Sequence, residues 1–261
     1  MKKYLFKKVI NNNGVLSYLK NKVVGYDNNH ILVAAMMKCG GTYLATVLSR
    51  LPGFIETRLV PAHGRREQEL DILYLFLNRR DYVAHHHLRY SEALDYEMKI
   101  FNIKPIIVTR DIFDVLVSMR DYILSGANIN QIIYLPKNYE KMSDDEIYLM
   151  LVHHFLPWYF NFYLSWRECS SVIFISYEEF NKDIKKTIHK IVDFYQINVS
   201  ELDIEHAINE TKLLNTRKNK AIVGRGNNLS KEIKQAVINM SACYKEYDLT
   251  GIGLPIKSDI G

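Results

Sequence analysis

The chain has 261 residues, 48% hydrophobic and 24% charged, a balance that suits one soluble α/β domain with a substantial core, or at most two small domains. Cys39, Cys169 and Cys243 are its three cysteines; they form no CxxC pair, so a disulfide framework is excluded and a reducing compartment is compatible. The formal net charge of +5 is uneven, with seven basic residues and one acid between Lys212 and Lys234.

The N-terminal stretch MKKYLFKKVINNNG lacks the apolar core of a signal peptide, and a cytoplasmic location is expected. The run ILVAAMM, 31–37, is short and apolar enough for a buried strand. Beyond it, Leu44, Val47, Leu48 and Leu51 recur at helical spacing. The turn between them, KCGGT, therefore joins a strand to a helix. A helix that starts in a Gly-rich turn presents free backbone N–H groups and the positive end of its dipole. Such a turn suits a phosphate, although an ordinary βα turn has the same look. It is not the G-x-x-x-x-G-K-[ST] loop of ATP and GTP hydrolases, because Lys38 precedes Gly40 and Gly41.

Further short apolar runs, 82–86 (YVAHH), 105–109 (PIIVT) and 172–176 (VIFIS), are rich in β-branched or aromatic residues and predict strands. Helical patterns occupy 92–101 and 111–124. Ser143 to Glu146 has capping-box spacing and predicts the start of a long aromatic helix. The stretch 148–166 approaches the length of a membrane span. Its two histidines, proline and asparagine point instead to a buried helix, with peripheral membrane contact left open. Strands alternating with helices imply a three-layer α/β fold around a mainly parallel sheet. Ligands in such folds collect at the carboxyl ends of strands.

Four strand ends carry candidate chemistry. The first is the turn at Lys38. The second is His85, His86 and His87, where His85 and His87 share one face of an extended chain. Two histidines make an incomplete zinc site and no nearby cluster completes it; a packed histidine run or a general base remains. The third is Arg110, placed either to chelate a phosphate or to pair with Asp114 one helical turn on, with Ser118 further along the helix. The fourth is Tyr177, a packing residue or a hydroxyl aimed into the site. The basic segment 212–234 has no interleaved aromatics, so a nucleic-acid stacking surface is not indicated; a lid over a small polyanion or a solvated basic face fits.

Taken together, these ends resemble the PAPS-dependent sulfotransferase family, PAPS being adenosine 3′-phosphate 5′-phosphosulfate. KCGGTY, from Lys38 to Tyr43, is similar to the family's 5′-phosphosulfate loop. IIVTRDIFDVLVS, ending at Ser118, is similar to its 3′-phosphate segment, and His87 with Leu88 to its T-H-L. VIFISYEEF is similar to its late strand, TKL (Thr211 to Leu213) to its adenine contact, and VGRGNNLS to a shortened late phosphate loop. The match runs from about residue 31 to 235. It implies a single sulfotransferase domain with P-loop-like architecture, whose C-terminal helix and tail occupy 229–261. Cys39 stands for the usual serine, Gly41 for a threonine, Tyr43 for a tryptophan, and Leu213 for a phenylalanine.

The resemblance assigns roles. Lys38 and the turn Cys39, Gly40, Gly41, Thr42 and Tyr43 hold the donor, and Lys38 stabilises the leaving phosphate. Arg110 and Ser118 read the 3′-phosphate, helped by Tyr177, Arg225 and Gly226, with Arg217 and Lys218 as the other register. Thr211 and Leu213 contact adenine. His87 is the general base. PAPS is the co-substrate, no metal is required, and the acceptor is a hydroxyl or amine on a small molecule, glycan or lipid. Its walls are expected in 52–80 and 125–141, around Arg58, His63, Arg65, Arg66, Tyr74, Tyr134 and Tyr139. The alternatives are a P-loop-like nucleotide kinase and a catalytically silent nucleotide-binding protein. The segment from Arg217 to Ser230, rich in Gly and Asn, is expected to be a mobile lid.

Overall fold

The computed structural model describes residues 28–61, 70–126, 133–214 and 222–255. Five strands, β1 (His30–Ala35), β2 (Ile55–Thr57), β3 (Tyr82–His86), β4 (Ile103–Thr109) and β5 (Ile173–Ser176), form one sheet of order β2-β3-β1-β4-β5. Every pairing is parallel. A parallel sheet needs crossover helices on its faces; among the described residues the chain supplies six helices between strands and four after β5. They are α1 (Gly41–Leu48), α2 (Ile72–Leu77), α3 (Glu92–Ile100), α4 (Ile112–Leu124), α5 (Asp144–His154), α6 (Leu156–Arg167), α7 (Tyr177–Lys182), α8 (Ile184–Tyr195), α9 (Glu201–Leu213) and α10 (Lys231–Ser241). The result is the expected three-layer α/β architecture, with a sheet that is wholly parallel.

The central strand β1 is buried along its whole length, which is why it reads as a continuous apolar run rather than an alternating one. The chain leaves β1 toward β2 and β3 on one side and later returns to β4 on the other. That reversal opens a crevice at the carboxyl ends of the central strands. Register fixes what lies there. His86 pairs with Ala34, Val108 with Ala35, and Ser176 with Thr109, so Met36, His87, Arg110 and Tyr177 all follow the last paired residues.

The capping box at Ser143 and Glu146 is present and starts α5. The long aromatic helix predicted beyond it is two helices. Pro157 lacks an N–H and its ring opposes the carbonyl four residues back, so the helix breaks at Phe155 and restarts with Pro157 in the first turn of α6. The aromatic residues are core: Phe155, Tyr159, Phe160, Phe162 and Trp166 are fully buried. Among the described residues no helix is long and apolar enough to cross a membrane. Strand β2, only IET in sequence with two exposed residues, was not expected from the pattern.

Tyr159 ties this aromatic layer to the sheet end. Its hydroxyl donates to the Arg110 carbonyl at 2.7 Å and accepts the Arg110 N–H at 2.9 Å. The Cys39 thiol lies 3.7 Å away as a second donor to it. One O–H and two lone pairs are thereby used, and the backbone of β4 is closed off just where it leaves the ladder. Tyr159→Phe leaves a buried N–H and carbonyl without this partner and is expected to cost about 1–3 kcal/mol of stability. Urea unfolding measures it, and an unchanged midpoint would contradict this account of the β4 end.

Candidate active site

The turn after β1 is built on two left-handed residues. Lys38 has φ 67° and Gly40 has φ 84°. Lysine is uncommon in that region and is held there only when its surroundings over-determine it. Here the Lys38 carbonyl accepts from Arg110 Nη1 at 3.0 Å, and the Cys39 N–H bonds the Met36 carbonyl at 3.2 Å. Gly40 is required twice, by its φ and by space: a Cβ there would lie 2.5 Å from Phe180 and 2.8 Å from Tyr177. The first bond of the α1 ladder runs from the Leu44 N–H to the Gly40 carbonyl. The N–H groups of Gly41, Thr42 and Tyr43 precede it and are not consumed by the helix.

This turn opens into a cavity of about 260 Å³ lined by Lys38, Gly40, Gly41, Thr42 and Tyr43 from the β1 side, His85 and His87 from β3, Arg110 and Ser118 from β4 and α4, and Tyr177 from the β5 end. The four predicted strand ends thus meet in one place. Tyr43 adds an aromatic wall, its ring near-parallel to Phe180 with centroids 6.4 Å apart.

The histidines divide as alternation demands. His86 is buried, and its Nε2 accepts the Leu59 N–H at 3.1 Å, a packing role on the opposite face. His87 Nδ1 lies 2.6 Å from the Ala35 carbonyl oxygen. A carbonyl only accepts, so Nδ1 carries the proton there, and the neutral ring keeps its lone pair on Nε2.

Arg110 is 4% exposed. It lines the cavity, and it pairs with Asp114 at 3.4 Å, as a buried pair rather than the surface pair expected. Its Nη2 also donates to the Ile222 carbonyl at 3.2 Å, and the guanidinium stacks 4.0 Å from the Tyr177 ring centroid. Its Nε is buried with no hydrogen-bond partner. Tyr177 therefore supports the arginine with its face, and burial raises the pKa of its hydroxyl.

Other assigned residues are placed differently. Cys39 turns its side chain into the core, where burial pushes its thiol up to about 12; only its backbone belongs to the turn. Arg225 is not brought into the cavity: its Nη2 meets Asp121 at 2.7 Å. Gly226 packs against Phe113, and the N–H groups of Gly226 and Gly224 bond the Asp114 carboxylate at 2.7 and 2.9 Å. The described part of the expected lid, 222–230, is thus fastened to α4 rather than loose, because Asp114 needs donors beyond Arg110. Thr211 is buried with its hydroxyl on the Ala207 carbonyl at 2.8 Å, and Leu213 is 87% exposed. Arg217, Lys218, His63, Arg65 and Arg66 lie outside the described residues.

Tyr122, Phe180, Asn181, Ile184 and Lys212 are among the cavity residues not singled out in the sequence. Tyr122 had a signal, since it follows Ser118 by one helical turn. Its ring lies 4.2 Å from Lys38 Nζ. Lys212, an exposed residue between Thr211 and Leu213, lines the cavity, whereas the resemblance named its two neighbours.

Among the described residues lining the cavity are Lys38, Arg110, Lys212 and two histidines, and no carboxylate. Such a site favours an anion. Groups of His, Cys, Asp and Glu able to hold a metal are absent among the described residues.

Comparison with known proteins agrees with the fold. A family model described as "Sulfotransferase domain" matches residues 28–237. Mouse sulfotransferase SULT7A1, solved in complex with PAP, superposes with a TM-score of 0.65 at 21% identity over 93% of both chains. Retinol dehydratase in complex with androsterone and the inactive cofactor PAP gives 0.54 at 17% identity, covering 89% of this chain and 86% of that one. Its complex with retinol and PAP gives 0.52 at 18%, over 89% and 87%. Comparison with curated protein sequences returned no match. The likeness in structure is one of fold, and the family model spans most of the chain: the protein belongs to the sulfotransferase family.

Proposed function

We propose that the chain transfers a sulfuryl group from PAPS to a hydroxyl of a small-molecule acceptor. The observation that carries this is the buried Arg110 Nε, without a hydrogen-bond partner, in the same cavity as the Gly40–Gly41 turn and His87. A ligand with anionic groups at both ends, of which PAPS is one, fits such a cavity. A Cβ at Gly40 or Gly41 would collide with protein neighbours, so the turn packs as it does only with glycine, and the backbone N–H groups it leaves at the helix start suit a phosphate. Retinol dehydratase was crystallised with retinol and androsterone, which supports a small-molecule acceptor here; a glycan or lipid hydroxyl has the same reacting group.

When bound, PAPS supplies the sulfuryl group and a bisphosphate leaving group. The chain's part is to position and to neutralise, as in phosphoryl transfer. The N–H groups of Gly41 and Thr42 hold the 5′-phosphate. Lys38, held over the Tyr122 ring, offers its ammonium to the bridging oxygen as the sulfur–oxygen bond breaks. His87 Nε2 takes the acceptor's proton as that oxygen bonds sulfur. Arg110 and Ser118 hold the 3′-phosphate. A nucleotide kinase is the weaker reading, since Lys38 precedes the glycines.

Transfer of label from sulfur-35 PAPS to a panel of hydroxyl acceptors tests the reaction, and absence of transfer across phenols, sterols and sugars would count against it. Lys38→Ala is expected to lower turnover at least about 10²-fold while adenosine 3′,5′-bisphosphate still binds, because the lysine acts on charge that develops in the transition state. Loss of product affinity with turnover preserved would reverse that role. His87→Ala is expected to lower turnover by about 10²-fold or more with donor affinity kept. His86→Ala is expected instead to cost stability, about 1–3 kcal/mol for the stranded Leu59 N–H, and to leave the turnover of folded protein nearly unchanged. Equal losses of turnover at both positions would contradict the division of faces.

A further inference from the structure

We propose that helix α2 and the arginines at its two ends form a docking surface for an anionic lipid bilayer, with Leu73 and Leu77 entering the boundary between headgroups and acyl chains.

The sequence of α2, ILYLFL, is apolar throughout, yet the fold buries one side of it. Leu75 is buried, whereas Leu73 and Leu77 are 57% and 65% exposed and Ile72 is exposed with them. At about 100° per residue, Ile72, Phe76, Leu73 and Leu77 fall in that order within roughly 140° of arc, away from Leu75. Ile55, on the edge strand β2, is exposed as well. Single exposed leucines are ordinary; an apolar face rimmed by cations marks an interaction site.

The rim is arginine. Arg58 lies one residue past β2, next to Leu59, whose carbonyl accepts the Asp71 N–H where α2 begins. Arg79 and Arg80 follow where it ends, and all three are exposed. Arg79 is held to the apolar face: its guanidinium lies 4.5 Å from the Phe76 ring centroid, and its Nε donates to the Phe76 carbonyl at 3.2 Å. A cation kept at the edge of exposed aliphatic side chains stays among headgroups while the leucines sink. The flanking acids turn to backbone: Asp71 accepts the Leu73 N–H and Asp81 the Asn29 N–H. Glu56 is the exposed acid of 55–58 and 70–81.

Charge selects the occupant. A second copy docked about a two-fold axis would set like patches together, arginine against arginine. The chain's own first ten residues, MKKYLFKKVI, carry four lysines and no acid. An anionic bilayer supplies the opposite sign. The surface also lies beside the cavity, since the Leu59 N–H donates to His86, between the cavity residues His85 and His87. Docking is independent of the PAPS reading, and no nucleotide enters its test.

Vesicle co-sedimentation of the full chain compares phosphatidylcholine vesicles with vesicles containing about one third phosphatidylserine. Binding is expected to be at least about tenfold tighter to the anionic vesicles. Leu73→Asp with Leu77→Asp is expected to weaken it about tenfold or more, and so is Arg79→Gln with Arg80→Gln. Leu202→Asp, exposed on α9 and outside the surface, is expected to leave it within about twofold. On the wild-type protein, anionic vesicles are expected to slow hydrogen exchange across 72–80, which keeps the test open if a variant fails to fold. Absence of binding, equal binding to both vesicle types, or binding by the Leu73 and Leu77 double variant as tight as wild type would overturn the proposal. A dimer that the same double substitution dissolves, with no vesicle bound, would overturn it in favour of a second copy on this face.

Discussion

The site depends on one buried guanidinium. Arg110 reaches the Lys38 carbonyl, the Asp114 carboxylate, the Ile222 carbonyl and the Tyr177 ring. These belong to the turn after β1, the start of α4, the late loop and the end of β5. A fixed planar fork with five donors can hold such a junction where a lysine cannot. Burying it costs desolvation, which Asp114 offsets. Asp114 in turn takes the N–H groups of Gly224 and Gly226, so one ion pair fastens a loop more than a hundred residues away. Arg110 is itself fixed by Tyr159, which bonds both its N–H and its carbonyl, and by Asp111, which caps α4 at the next residue.

Aromatic faces also hold the charges of the site. Lys38 lies over Tyr122 and Arg110 over Tyr177. A ring face attracts a cation without cancelling its charge. The cavity therefore keeps an excess of positive charge for a ligand to neutralise. The same geometry bears on catalysis: a lysine held near its working place before the reaction needs little reorganisation as leaving charge develops.

Much of this was legible in the sequence, for identifiable reasons. The strands β1 and β4 are buried on both faces, so 31–37 and 105–109 read as short apolar runs; 172–176 reads alike although β5 is a partly buried edge strand; and the glycines and helix-starting acids punctuate them. Because chemistry in a parallel sheet gathers at carboxyl ends, the four candidate positions followed from strand ends alone. What was not legible is direction. Thr211 and Leu213 are one step either side of Lys212, and nothing in a linear pattern says which of the three lines the cavity. Arg225 has the charge for a phosphate, yet Asp121, distant in sequence, claims it. Cys39 sits within the turn but points to Tyr159, a partner 120 residues away. Strand β2 carries too few apolar residues to announce itself and is specified by pairing with β3. The break at Phe155 was signalled by Pro157, but continuous hydrophobicity masks a change of helix axis.

The central claim is that this cavity reads two anionic ends of one nucleotide, with Arg110 at the 3′ end. The most direct measurement is calorimetric comparison of adenosine 3′,5′-bisphosphate with ADP on the wild-type protein. The account predicts that the bisphosphate binds at least about tenfold more tightly, since ADP gives the guanidinium no 3′-phosphate to hold. ADP binding as tightly as the bisphosphate would contradict it.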